Sequence, residues 1–124
     1  MAKYLGLDVG EKRVGLALAD SEARVAVPFA VFIRQNGFWD KIKTLYVHEG
    51  IERIIVGWPV GLDGQNSVQT EAVEDFIQTL QRRLPEAIVE RVDERMSSKA
   101  TNLAQDNDAQ AAALILNNYL ERQP

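Results

Sequence analysis

The spacing of apolar residues changes once along the chain, and this change constrains the fold more than any other feature of the sequence. Up to about residue 33, apolar runs separated by short turns predict strands over residues 4–9, 13–19 and 25–33. Helical spacing follows over residues 38–49. The three short runs predict an antiparallel meander, and the helical part predicts crossover connections.

The second half of the sequence alternates between apolar strands and amphipathic helices. Residues 53–57 are almost wholly apolar and predict a central strand, while residues 87–92 predict a fifth strand. A polar loop, residues 58–65, leads to a helix expected over residues 66–84. The rest of the chain is expected to be helical, with four apolar residues facing inward: Leu114, Ile115, Tyr119 and Leu120.

The order β-β-β-α-β-α-β-α predicts one α/β domain over residues 1–124. We expect a mixed five-stranded sheet, in which β1, β2 and β3 are antiparallel and β4 and β5 are parallel, with helices on both faces. Hydrophobic residues make up 46% of the chain and charged residues 26%, which supplies both a core and a soluble surface.

Composition also limits the partners and the location. No run approaches the roughly 18 consecutive apolar residues of a membrane span, and the first ten residues do not resemble a secretory signal. The absence of cysteine excludes disulfides and thiolate metal sites, and it favours the cytoplasm. A net charge of −4 disfavours unselective adhesion to nucleic acid, so nucleic-acid contact would require local basic patches.

Acidic residues occur at the ends of three predicted elements. Asp8 lies late in the first strand, where Asp is disfavoured; Asp93 and Glu94 follow the fifth strand; Asp106 and Asp108 lie near the last helix. If the first and fifth strands are parallel, Asp8 and Glu94 share one rim of the sheet, and the last helix adds Asp108. Carboxylates without Cys or a His cluster suit Mg²⁺ or Mn²⁺, two of which about 4 Å apart can promote phosphodiester hydrolysis.

Each acid also has a purely structural explanation that the residues alone leave open. Asp8 could shape the turn that follows it, and Asp93 and Glu94 could belong to an exposed charged turn. Asp108 could cap the last helix. Two other residues have structural roles as the first expectation: solvent exposure for His48, and packing rather than base stacking for Trp58.

Four segments of the sequence, in this order and spacing, resemble one protein family. They are LGLDVGEKRVGLALAD, IVGWPVGLDGQNS, VDERMSSKA and DAQAAALIL. The resemblance is to the YqgF, or RuvX-type, family of RNase H-like proteins, described as Holliday junction resolvases or pre-16S rRNA nucleases. It implies an RNase H-like fold and Mg²⁺-dependent cleavage of nucleic acid. The family's catalytic, metal-binding acids fall on Asp8, Glu94 and Asp108.

Basic residues near the proposed rim are the expected phosphate contacts. Lys12 and Arg13 follow the first turn, and Arg95 and Lys99 follow the fifth strand. Arg95 could instead pair with a neighbouring acid. Asn66 lies at the expected start of the second helix, where backbone N–H groups favour an anion, although ordinary capping explains Asn66 equally well.

Three classes of function compete on the sequence. The first is a metal-dependent endonuclease acting on structured RNA in 5′-end maturation of pre-16S rRNA. It ranks ahead of Holliday junction resolution on branched DNA, because junction cleavage needs two active sites and strong binding of the DNA backbone. The second is a non-catalytic module that binds nucleic acid or ribosome-assembly partners, suggested by the short segment 100–107, which lacks Lys and Arg. The third, an actin-like phosphotransferase, needs two comparable domains. A monomer and a homodimer both remain open.

Overall fold

A computed structural model describes residues 2–60, 68–95 and 108–122 of the chain. These residues form, in order, β1 Lys3–Val9, β2 Arg13–Asp20, β3 Ala26–Ile33, α1 Phe38–His48, β4 Ile51–Val60, α2 Val68–Arg83, β5 Ile88–Arg95 and α3 Asp108–Arg122. This order confirms the succession of strands and helices predicted from the sequence. In the described part of the chain, no helix combines the length and apolar character needed to cross a membrane.

The strands form one mixed sheet in the order β3-β2-β1-β4-β5. β2 pairs in antiparallel fashion with both β1 and β3, whereas β4 pairs in parallel with both β1 and β5. This is the predicted topology. Because β1 and β5 run in the same direction, their carboxyl ends lie at the same rim of the sheet, as the prediction for the acidic residues required.

One face of the sheet carries large apolar side chains beneath α1 and α2. Strand alternation directs Leu5 and Leu7 of β1 and Leu16 of β2 to this face. Side chains from both helices complete the core, among them Ile42, Leu45, Val73, Phe76, Ile77 and Leu80. Each such side chain stabilises the fold by about 1.5–3 kcal/mol when it is fully buried, so this core supplies much of the folding free energy.

The opposite face carries small residues, and α3 packs closely against it. Gly6 of β1 and Ala17 of β2 pair with each other and are both buried. A Cβ atom at Gly6 would lie 2.9 Å from the Cβ of Leu116 and 3.0 Å from the carbonyl oxygen of Ala112, closer than such atoms normally approach. The missing side chain therefore allows α3 to lie directly on the strands.

β3 forms one edge of the sheet, and its pairing with β2 is irregular. The register shifts between Leu16 and Ala17, opposite the segment that contains Pro28. An edge position and a bulge are the places where a strand tolerates a proline, because no ladder hydrogen bond is lost there. Several apolar side chains of β3 are exposed, including those of Val27, Phe29 and Ile33.

The predicted ends of β4 and β5 are wrong, because these two strands pair over a longer stretch than their apolar runs suggest. Their register continues to the pair Val60 and Arg95, so β4 passes residue 57 and Trp58 lies in a strand rather than a loop. Asp93 and Glu94 likewise lie within β5 instead of following it. β5 is an edge strand, and a half-covered edge tolerates polar residues.

One apolar residue of α3 was also assigned to the wrong face. Ile115, Tyr119 and Leu120 are buried as predicted, but the side chain of Leu114 is 58% exposed. The helical spacing of the buried residues on either side of it directs Leu114 outward.

Candidate active site

Asp8 lies near the carboxyl end of β1, on the face of the sheet that α3 covers. Its neighbour Leu7 points into the core under α1 and α2, and strand alternation directs Asp8 to the other side. In the β1–β2 register, Asp8 pairs with Gly15. A Cβ atom at Gly15 would lie 2.0 Å from the carbonyl oxygen of Asp108, the first residue of α3. Gly15 thus allows the start of α3, and with it Asp108, to approach Asp8.

The two carboxylates line a cavity of about 260 Å³ together with the β1–β2 turn. The remaining lining residues are Gly10, Glu11, Lys12 and Arg13. The turn is closed by a hydrogen bond of 2.9 Å, which the N–H of Gly10 donates to the carbonyl oxygen of Arg13. Because a water molecule occupies about 30 Å³, the cavity has room for a hydrated cation or a phosphate group. Lys12 and Arg13, two of the predicted phosphate contacts, therefore lie beside two of the predicted acids.

The environment of Asp8 penalises its charged form. Burial raises the pKa of Asp8 from 3.8 to about 6, and the nearby charge of Asp108 acts in the same direction. If Asp8 and Asp108 hold a divalent cation, its charge would offset this penalty by favouring the ionised form of both carboxylates. A carboxylate with a raised pKa in a cleft is a feature of functional sites.

Arg13 makes a contact that the sequence did not reveal. Its Nε donates a hydrogen bond of 2.9 Å to Oδ2 of Asp108. The arginine side chain is 47% exposed and that of Asp108 is 30% exposed, so the pair contributes at most about 1 kcal/mol. The contact connects residues far apart in sequence and depends on α3 lying across β2, which local sequence patterns do not encode.

The backbone register distinguishes between the two adjacent acids of β5. Asp93 pairs with Trp58, which packs against the core under α1 and α2, so Asp93 belongs to that face. Val92 is buried on the α3 side, and strand alternation assigns position 94 to the same side. Of the two acids, Glu94 therefore occupies the strand position on the face that also carries Asp8.

Several predicted site residues fall outside the part of the chain that the structure describes. These are Asn66, Lys99 and Asp106, together with the side chains of Glu94 and Arg95. Within the described residues, no group of three His, Cys, Asp or Glu side chains is placed to hold a metal ion. The donor set at the cavity consists of carboxylate oxygens beside a backbone turn, and this chemistry fits Mg²⁺ or Mn²⁺.

Two residues with structural explanations behave as expected. His48 is exposed at the end of α1. Trp58 is partly buried against the core, and the guanidinium carbon of Arg91 lies 5.3 Å from its ring centroid. Arg91 is fixed in turn by Glu74, whose two carboxylate oxygens accept hydrogen bonds of 2.8 and 3.0 Å from Nη2. Packing, the first expectation for Trp58, is therefore what the structure shows.

The fold resembles those of solved resolvases. One is the structure of T. thermophilus RuvC in complex with Holliday junction substrate, which matches with a TM-score of 0.58 at 11% sequence identity. The match covers 97% of this chain and 94% of the RuvC chain. The fowlpox virus Holliday junction resolvase has a TM-score of 0.54 and 10% identity, covering 98% and 99%. At these identities the likeness concerns the fold, which is the RNase H-like arrangement of a mixed sheet between helices.

Sequence comparison gives a closer relationship. A relative from Sulfurihydrogenibium sp. (strain YO3AOP1), named "Putative pre-16S rRNA nuclease", is 31% identical over 98% of this chain and 92% of its own length. A relative of the same name from Orientia tsutsugamushi (strain Ikeda) is 37% identical over 97% of this chain and 84% of its own length. The family model described as "RuvX: Holliday junction resolvase" matches residues 2–122. Together with the YqgF-type sequence segments, these matches show that the chain belongs to the RuvX family.

Proposed function

We propose that this protein is a metal-dependent endonuclease that hydrolyses phosphodiester bonds of nucleic acid. The observation that carries the proposal is the convergence of Asp8 and Asp108 on one cavity, beside Lys12 and Arg13. Membership of the RuvX family supports the same reaction class. The proposed metal ligands are Asp8, Glu94 and Asp108; the proposed substrate contacts are Lys12, Arg13, Arg95, Lys99 and Asn66.

The residues of the chain have separate roles in this reaction. Asp8 is fixed on a central strand and presents its carboxylate at the cavity, while Asp108 is held beside it at the first turn of α3. A bound Mg²⁺ or Mn²⁺ ion would supply an activated water and stabilise the charge that develops on the phosphate. Lys12 and Arg13 offset the repulsion between the acidic site and the incoming phosphate. The β1–β2 turn, fixed by its own hydrogen bond, positions both cations.

The substrate we propose is a ribosomal RNA precursor, cleaved by the protein during 5′-end maturation of pre-16S rRNA. The names of the relatives support this choice. Branched DNA is the second candidate, because the family model and the structural neighbours carry the description of Holliday junction resolvases. The cytoplasmic location stays a prediction from the cysteine-free composition.

The test compares Asp8→Asn with Asp93→Asn, which removes an exposed carboxylate from the other face of the sheet. With Mg²⁺ or Mn²⁺ present, Asp8→Asn should lose about 10³-fold or more in cleavage rate, since charge stabilisation by a metal accounts for several kcal/mol. Asp93→Asn should cleave at nearly the wild-type rate. Cleavage is measured on a labelled pre-16S rRNA fragment and on a four-way DNA junction.

The outcomes of this test separate the candidate functions. Cleavage confined to the junction would reverse the order of substrates. Undiminished metal-dependent cleavage by Asp8→Asn would contradict the mechanism. Binding of nucleic acid without cleavage by the wild-type protein would favour a non-catalytic module.

A further inference from the structure

Besides Arg91, which lies over Trp58 and is also paired with Glu74, three basic side chains of the described residues lie over aromatic rings on the α1 and α2 side of the sheet. The pairs are Arg34 over Phe76 at 5.2 Å, Arg83 over Trp39 at 5.8 Å and Lys41 over Phe32 at 5.4 Å, measured from the cationic atom to the ring centroid. The centroids of Trp39 and Phe76 are only 5.0 Å apart, so two of the three cations sit on one continuous aromatic cluster. We call Arg34, Lys41 and Arg83 the ring-held cations.

The ring-held cations keep their charge available, unlike several other basic residues. Ion pairs with carboxylates engage another set of cations: Lys3, Arg13, Arg53 and Arg91. Within the described residues, no carboxylate lies at ion-pair distance from a ring-held cation, although Asp40 and Asp75 are exposed on the same helices. An aromatic face restrains a cation without neutralising it, so the N–H donors that make no hydrogen bond within the protein remain available to an anion.

Arg34 connects this surface to the candidate active site. Its backbone N–H donates a hydrogen bond of 2.9 Å to the carbonyl oxygen of Lys12, and its Nη1 donates one of 2.8 Å to the carbonyl oxygen of Gly10. Gly10 and Lys12 both line the cavity that contains Asp8. Arg34 therefore contacts the wall of the cavity directly, while Lys41 and Arg83 lie over Phe32 and Trp39 on the side of the sheet opposite α3.

We propose that Arg34, Lys41 and Arg83 form a second contact surface for the sugar–phosphate backbone of nucleic acid. This surface holds the strand next to the phosphodiester in the cavity, and in this respect the inference rests on the proposed function. A chain with a net charge of −4 needs a local concentration of uncompensated cations to bind a polyanion. The rings fix these side chains beforehand, which reduces the entropy lost when each contacts a phosphate.

The experiment removes charge at ring-held and at neighbouring positions and measures binding. Lys41→Gln/Arg83→Gln is compared with Lys43→Gln/Arg82→Gln, which removes the same charge from exposed residues of the same two helices. No contact of Lys43 or Arg82 with a ring is seen in the described part of the chain, and Arg82 instead contacts Thr79 of its own helix. All variants carry Asp8→Asn, so that binding is measured without cleavage.

The probes are a labelled single-stranded RNA and the DNA of the same sequence, titrated at several salt concentrations. The ring-held double variant should weaken Kd by about tenfold and lower the salt slope by about 0.7 for each lost phosphate contact. The matched double variant should change Kd by less than about twofold. Arg34→Gln should weaken Kd by about threefold, and Arg34→Lys should restore most of that loss; thermal unfolding checks that each variant is folded.

If the two double variants weaken nucleic-acid binding equally, the proposed contact surface is wrong, because the result would show a general effect of charge. A loss confined to RNA or to DNA would also overturn it, since backbone phosphates are common to both. If the contact surface is contradicted while the wild-type protein still cleaves nucleic acid, the proposed nuclease function is unaffected. Conversely, a selective loss of binding in a protein whose wild type cleaves nothing would support the surface and contradict the nuclease.

Discussion

On one face of the sheet, α1 and α2 cover large aliphatic side chains such as those of Leu5 and Leu16, whereas on the other face α3 lies against Gly6, Gly15 and Ala17. The first arrangement buries a large apolar area, which is the main favourable contribution to folding. The second arrangement brings a helix backbone close to the strands. Stability therefore depends mainly on the α1 and α2 face, and the geometry of the candidate site depends on the α3 face.

The first prediction tests whether a change in the core under α1 and α2 leaves the candidate site on the α3 face unaffected. Leu16 is fully buried, and Leu16→Ala should lower the free energy of unfolding by about 2–5 kcal/mol. The variant should still bind Mn²⁺ with wild-type affinity at a temperature where it is folded, because Leu16 points away from Asp8. Urea denaturation and calorimetric titration measure the two quantities. A loss of Mn²⁺ affinity in the folded variant would show that the faces are not independent.

The second prediction concerns the cost of the buried charge at Asp8. With a pKa of about 6 in the folded protein and 3.8 in the unfolded chain, Asp8 destabilises the fold progressively as the pH rises through this interval. Asp8→Asn should therefore be more stable than the wild type by up to about 3 kcal/mol above pH 6, and the gain should shrink toward pH 4.

Urea denaturation in the presence of a chelator, repeated across this pH range, measures the gain. Asp93→Asn is the matched control and should stay within about 0.5 kcal/mol of the wild type. A gain for Asp8→Asn that does not change with pH would contradict the raised pKa. The same protonation predicts that Mn²⁺ affinity of the wild type falls as the pH drops below 6.

The third prediction perturbs the α3 face at its closest contact. An added methyl group at Gly15 would meet the backbone of Asp108, so the start of α3 must shift. Gly15→Ala should cost about 1–3 kcal/mol of stability, less than Leu16→Ala, yet weaken Mn²⁺ binding by about tenfold or more. Calorimetric titration of Gly15→Ala and Leu16→Ala with Mn²⁺ provides the comparison, because the two substitutions lie at adjacent positions of β2. Unchanged Mn²⁺ affinity in Gly15→Ala would contradict the positioning role of this contact.

The fourth and smallest effect concerns the ion pair at the cavity. Arg13 pairs with Asp108 and would compete for this carboxylate with a bound metal ion, and an exposed pair contributes about 0.2–1 kcal/mol. Arg13→Gln should therefore tighten Mn²⁺ binding by up to about fivefold. Weaker Mn²⁺ binding by this variant would instead show that Arg13 holds Asp108 in its binding position.

The sequence predicted those features of the site that depend on local pattern. Alternation along β1 and the direction of β5 follow from spacing and topology, so the position of Asp8 at the shared rim could be predicted. The lengths of β4 and β5 could not, because pairing between two strands extended both beyond their apolar runs. The Arg13–Asp108 contact depends on how α3 crosses β2, which no local pattern specifies.

The contacts of Gly6 and Gly15 have a consequence for mutational scanning. Alanine substitution normally tests a position by deleting atoms, but at these two positions it inserts one into an occupied space. Both glycines should then score as sensitive positions, although neither has a functional group. A scan of this family would be interpreted correctly only if such added-volume positions were separated from positions where chemistry is lost.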